Sequence, residues 1–91
     1  MNQEAKENHH IFLYSKKHLE LKGIKQIDHF DEQEFLLESN MGWIIIKGNH
    51  LILNKWDVNK QEVVIDGEIK GINYVEHMKN HKKWFVNLLK A

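Results

Sequence analysis

Cysteine is absent from the 91-residue chain. That excludes a disulfide framework, a thiolate metal site and a cysteine nucleophile together. Arginine is also missing: all 13 basic residues are lysine. Without arginine's planar fork the usual tool for bidentate base or phosphate recognition is gone. Charge of one sign is lacking too, since 13 acids balance the 13 lysines and the pI is near 7.1. A nucleic-acid partner is therefore not expected, because such binders concentrate positive charge against phosphates. Proline and threonine do not occur, while lysine, asparagine and isoleucine are frequent. This bias reads as the codon usage of an AT-rich genome, which tempers the weight of the missing arginine.

No apolar run approaches the roughly 18–20 residues of a membrane span. The first eight residues are polar and hold no apolar stretch of signal-peptide type, so the reading is of an intracellular protein. A mass of 10.9 kDa leaves room for one small domain. A hydrophobic fraction of 42% with 29% charged residues is that of a folded domain rather than a disordered one.

What is present is strand grammar: short apolar or alternating runs punctuated by the five glycines. Residues 1–9 read as a disordered tail and residues 10–91 as the domain. Strands are predicted over residues 11–13, 19–22, 24–30, 34–39, 43–47, 50–56, 62–66 and 68–75, about seven forming one fold. Over 24–30 the apolar residues Ile24, Ile27 and Phe30 are three apart, a spacing that would also suit a helix. Asp31-Glu32-Gln33 and Asn40-Met41-Gly42 read as turns. Gly48-Asn49 reads as a two-residue hairpin turn between the runs at 43–47 and 50–56. Gly71 predicts a bulge or bend. Three segments share one phrase, a strand ending in a charged residue and glycine: Leu21-Lys22-Gly23, Ile46-Lys47-Gly48 and Ile65-Asp66-Gly67. Their unequal spacing excludes a regular solenoid. The expected fold is mainly β, a sandwich or rolled antiparallel sheet.

The grammar changes after Val75. Residues 76–90 contain no glycine and place Met78, Phe85, Leu88 and Leu89 at helical steps with Trp84 flanking, which predicts a C-terminal amphipathic helix. Residues 76–91 carry four lysines against one glutamate, a net of +3, whereas residues 26–40 carry five acids and no lysine, a net of −5. The candidate interaction surface is Lys82, Lys83, Trp84, Phe85, Leu88 and Leu89, a lysine-flanked apolar face for a partner groove or membrane surface. The plainer alternative is that this stripe caps the open side of the sheet. Opposite charges on the two segments would also support head-to-tail self-association, and small sheets leave edge strands that invite pairing. A homo-oligomer is thus an expectation.

Catalysis has little to work with. The only serines, Ser15 and Ser39, sit in no nucleophile elbow, and no glycine-rich loop opens a helix. The acids at Asp28, Asp31, Glu32 and Glu34 read as a solvated edge rather than an acid–base pair. His77 and His81, four apart on the predicted helix, could face one metal ion with His9 or His10 as a third ligand. No glutamate follows His77 directly, so the zinc-protease motif is absent, and neighbouring lysines disfavour a cation. A small histidine-based metal- or ligand-binding domain is the alternative functional class. The leading reading has no metal, no cofactor and no enzymatic activity.

The run Lys17-His18-Leu19-Glu20-Leu21-Lys22-Gly23-Ile24-Lys25-Gln26-Ile27-Asp28-His29-Phe30-Asp31 resembles the opening of the YabP sporulation proteins, related to the YqfC group. The likeness continues through Phe35-Leu36-Leu37-Glu38-Ser39, Met41-Gly42, Ile44-Ile45-Ile46-Lys47-Gly48, Leu51, the turn at 57–61, Val64-Ile65-Asp66-Gly67-Glu68-Ile69 and Tyr74. The closing Lys83-Trp84-Phe85-Val86-Asn87-Leu88-Leu89-Lys90 is more similar to YabP than to YqfC. The departures are Lys16-Lys17 where an arginine is common and Ser39 where threonine is usual. The resemblance implies a role in endospore envelope assembly, coat or cortex, with mother-cell expression and no known activity, cofactor or functional residue to carry over. It implies other sporulation proteins as partners, among them a membrane protein of the forespore envelope. The implied location is the mother-cell cytoplasm, peripheral at the outer forespore membrane.

Overall fold

The computed structural model describes residues 8–76. Six strands follow in chain order: β1 His10–Tyr14, β2 His18–Lys22, β3 Ile24–Phe30, β4 Glu34–Ser39, β5 Gly42–Asp57 and β6 Glu62–Val75. They form one antiparallel sheet in the order β1-β2-β6-β5-β4-β3. The expected mainly-β antiparallel fold is thus present. The predicted helix over 76–90, and with it His77, His81, Lys82, Lys83, Trp84, Phe85, Leu88 and Leu89, lies outside the described residues beyond Glu76.

Six strands stand where about seven were expected, and the eight predicted runs reduce to six because two predicted breaks are not breaks. Gly48-Asn49 is not a hairpin turn. The runs at 43–47 and 50–56 are one 16-residue strand, and 62–66 with 68–75 are one 14-residue strand. The turn between them is at residues 58–61, where the Asp57 carboxylate accepts the Lys60 amide at 3.0 Å. Gly48 and Gly67 serve instead as close-approach points of this long hairpin. A β-carbon on Gly48 would collide with the carbonyl oxygen of Glu68, and one on Gly67 would stand 2.5 Å from that of His50. Pairing slips here, with Asn49 opposite Glu68 but Ile52 opposite Asp66. Glycine therefore marks a bend across which two backbones touch. The expected irregularity at Gly71 is present: Gly71 faces Lys47 and Ile69 faces Gly48, leaving Lys70 as the extra residue of a bulge.

The bend rolls the sheet. β2 and β3 stand second and last in strand order, yet only Gly23 joins them, at a φ of 79° that glycine adopts without steric cost. The sheet must curl to bring them together. Backbone bonds seal the roll at its corners. Gly48 N–H donates to Gln33 O (2.9 Å) and Leu51 N–H to Glu32 O (2.8 Å), while Gly67 N–H and Ile69 N–H donate to Lys17 O and Lys16 O.

Inside lies one core fed by alternate residues along the strands: Leu19 and Leu21, Ile24, Phe35 and Leu37, Ile44, Ile46 and Leu51, Val63, Ile65 and Ile69. The strand period of two places these together. β3 follows this rule through two bulges. Ile24 faces Ser39 and Gln26 faces Glu38; Ile27 faces Leu37 and His29 faces Leu36. Lys25 and Asp28 are thus the extra residues. Each bulge adds one residue to the period of two, so Ile24, Ile27 and Phe30 all align with Ser39, Leu37 and Phe35 on the inner face. The helix-like spacing of three is that of a twice-bulged strand.

The outer face has a smaller cluster. Leu36 and Ile45 are directly opposite and fully buried, with Trp43 and Val75 packed against them. Beside them Glu34 is also buried, its Oε2 2.9 Å from Lys47 Nζ.

Candidate functional site

The described chain has one polar cluster of note. His18 on β2 places Nδ1 2.5 Å from Asp66 Oδ1 on β6 and Nε2 3.0 Å from Glu20 Oε2. Register dictates the meeting, because His18 lies opposite Asp66 and Glu20 is the next outward residue on the same strand. With a carboxylate at each ring nitrogen, both bonds form only when His18 is the imidazolium. The hydrogen bond to Glu20, followed by that to Asp66, raises its pKa above 6.5, with burial opposing. Asp66 is held below its usual range by Asn54, whose side-chain amide donates to it, and then by His18. The Tyr14 ring lies 5.6 Å from the His18 ring. This cluster was not anticipated from sequence, since its partners are 48 residues apart. The one imidazolium bonds both carboxylates, and Asn54 also donates to Asp66. It is a staple between strands, with no nucleophile in it.

A second polar contact anchors the chain ahead of β1. His9 Nδ1–H donates to Lys22 O (2.8 Å), and Nε2 accepts the Tyr74 hydroxyl (2.6 Å). These contacts tie His9 to β2 and β6. Burial pushes the Tyr74 phenol above 10. A shallow hollow of about 140 Å³ lies between β2, β5 and β6. Its lysines are engaged: Lys55 and Lys22 both reach Glu62, at 3.2 and 3.6 Å, and the Lys55 bond leads the lowering of the Glu62 pKa. Among the described residues no group of three or more histidine, cysteine, aspartate or glutamate side chains could hold a metal ion. Nor is any helix among them long and apolar enough to cross a membrane.

Among the described residues the rim of the sheet stays exposed. Within them β1 pairs with β2 alone, and along it Phe12, Leu13 and Tyr14 are 40%, 43% and 50% exposed. No charged side chain stands between His10 and Tyr14. β3, the other edge, carries Lys25 and Asp28 on its bulges and stacks Phe30 on Phe35, with ring centroids 4.9 Å apart. An exposed apolar edge strand is a ready template for further strand pairing.

The described residues thus form a small rolled antiparallel sheet with hydrogen-bonded polar clusters and an apolar edge exposed among them. Comparison with known proteins places the chain in a family. A model of the YabP family matches residues 5–81. The chain is also 34% identical over 76 residues to the spore protein YabP of Bacillus subtilis (strain 168), covering 84% of this chain and 76% of that protein. The chain belongs to the YabP family.

Proposed function

We propose that this protein acts in sporulation as a non-enzymatic assembly component of the endospore envelope, working through protein contacts. The sporulation part rests on its kinship with a spore protein. The mode of action rests on one observation above all, the unguarded apolar edge at β1. Strand addition at such an edge uses backbone hydrogen bonds for affinity and alternate side chains for specificity. A second contact surface is proposed from sequence alone beyond Val75, where the pattern of Lys82, Lys83, Trp84, Phe85, Leu88 and Leu89 reads as a lysine-flanked apolar stripe suited to another sporulation protein or the outer forespore membrane.

A fluorescent fusion followed through sporulation in the native host tests this reading. The expected result is a signal that appears only after starvation, as a shell around the forespore. A constitutive, diffuse signal in growing cells would refute it. A Phe85→Asp, Leu88→Asp double variant that folds yet loses the shell supports the second surface. Retention of the shell and of every partner removes that surface.

A further inference from the structure

We infer that the partner of β1 is β1 of a second copy, paired antiparallel about a two-fold axis at Phe12; this rests on the assembly reading above. The two six-stranded sheets would then be continuous across the axis.

The strand is self-complementary in this arrangement. On β1, Ile11 and Leu13 lie opposite Leu21 and Leu19 on the core side, while Phe12 and Tyr14 lie opposite Glu20 and His18 on the outer side. Antiparallel pairing about Phe12 sets Ile11 against Leu13 of the second copy, which extends the core, and Phe12 against Phe12. Tyr14 meets His10. Every pair is apolar or aromatic, the type that stabilises cross-strand contacts. Nothing from His10 to Tyr14 carries a fixed charge, so self-pairing meets no repulsion within the strand. The lysines choose the direction. Lys16 and Lys17 follow β1 closely, so parallel pairing would bring four ammonium groups to one end. Antiparallel pairing sends the two pairs to opposite ends, roughly 14 Å or more apart.

β3 is a poor competitor for β1. Its two bulges break the even ladder a straight strand needs, and Lys25 and Asp28 stand at the irregularities. A β1-to-β3 contact would propagate head to tail, whereas β1-to-β1 closes as a dimer. A five-residue ladder buries little surface, so the dimer is expected to be weak in dilute solution and to fill when copies are crowded on one surface.

Because the chain has no cysteine, single introduced thiols are clean probes. In a Phe12→Cys variant the two thiols would face each other across the two-fold axis, close enough for a disulfide. In a Tyr14→Cys variant they would lie on opposite sides of the axis, each against His10 of the other copy and out of bonding range. On mild oxidation of the full chain, Phe12→Cys is expected to yield covalent dimer about tenfold faster than Tyr14→Cys. In sedimentation, the unmodified chain should rise from monomer toward dimer mass between about 10 and 500 µM. Phe12→Lys should remain monomeric with an unchanged circular dichroism spectrum, and Leu13→Lys serves if that variant misfolds. A chain monomeric throughout, equal crosslinking at the two positions, open-ended polymers, or a dimer indifferent to both lysine variants would overturn the inference. The failures are separable. A monomer whose fusion still forms a forespore shell removes self-pairing and leaves the assembly reading standing. A dimer crosslinked through Phe12→Cys with a diffuse fusion supports self-pairing while the assembly reading fails.

Discussion

The two edges of this sheet end the same ladder in opposite ways. β3 is seven residues long, twice bulged, charged at both bulges, and its terminal Phe30 is stacked against Phe35. β1 is five residues, in unbroken register with β2, uncharged, and open at Phe12, Leu13 and Tyr14. Natural sheets blunt their edges with bulges and charges to avoid unwanted pairing. Here one edge is blunted and the other is not. That difference is the ground for proposing β1, rather than β3, as the contact edge.

The comparison can be broken first at what holds the edges in place. Phe35→Ala removes a fully buried ring shared by the core and β3. It should cost about 3–5 kcal/mol in urea unfolding, whereas Phe12→Ala on β1 should cost less than about 1 kcal/mol. Equal losses would show that β1 is as integrated as β3. Gly48→Ala drives a methyl into the Glu68 carbonyl at the bend. About 2 kcal/mol or more should be lost, read from the same denaturation curves. An unperturbed midpoint would mean that the two backbones do not approach there.

Deleting Lys25 removes the surplus residue of one bulge and leaves Ile24 two positions from Ile27, opposite Ser39 and still on the inner face. Urea unfolding should therefore shift by less than about 1 kcal/mol, whereas deleting Lys25 and Gln26 together turns Ile24 off that face and should cost about 2 kcal/mol, the burial of one isoleucine. A single deletion as costly as the double one would show that Lys25 is not the surplus residue of β3.

The smallest effect is electrostatic and sits beside β1. His18 has its pKa raised in the fold, so its contribution is fully present below the unfolded value of 6.5 and is lost as pH rises through the higher folded value. Asp66 is shifted the other way, and its contribution, present above 3.8, fades as pH falls through its lowered folded value. The melting temperature should therefore decline on the alkaline side of pH 6.5, and His18→Gln should flatten that decline. A slope unchanged by the substitution would mean that another group carries it.

Much of this fold was legible because strand alternation survives in the residues themselves. Leu19 and Leu21 alternate with charged residues, Phe35, Leu37, Ile44 and Ile46 lie in runs read as strands, and all six are core. Two features defeated local reading. A glycine beside asparagine carries the same letters whether it turns a chain or lets two strands touch, and at Gly48 the deciding atom is the Glu68 carbonyl on the neighbouring strand. A bulged strand mimics helical spacing, and only the partner β4 shows that Lys25 and Asp28 are the surplus residues. Edge pairing was foreseeable, but which strand is bare depends on sheet order, which no single segment encodes. The His18 cluster was hidden for the same reason: Asp66 and Asn54 reach it through strand register.

The most direct test of the contrast between the edges is amide hydrogen exchange on the intact chain at low and high protein concentration. Those β1 amides that point away from β2 should exchange freely when dilute and become protected as concentration rises, while β3 amides keep the same rates throughout. Protection that rises equally on both edges, or on neither, would contradict the account.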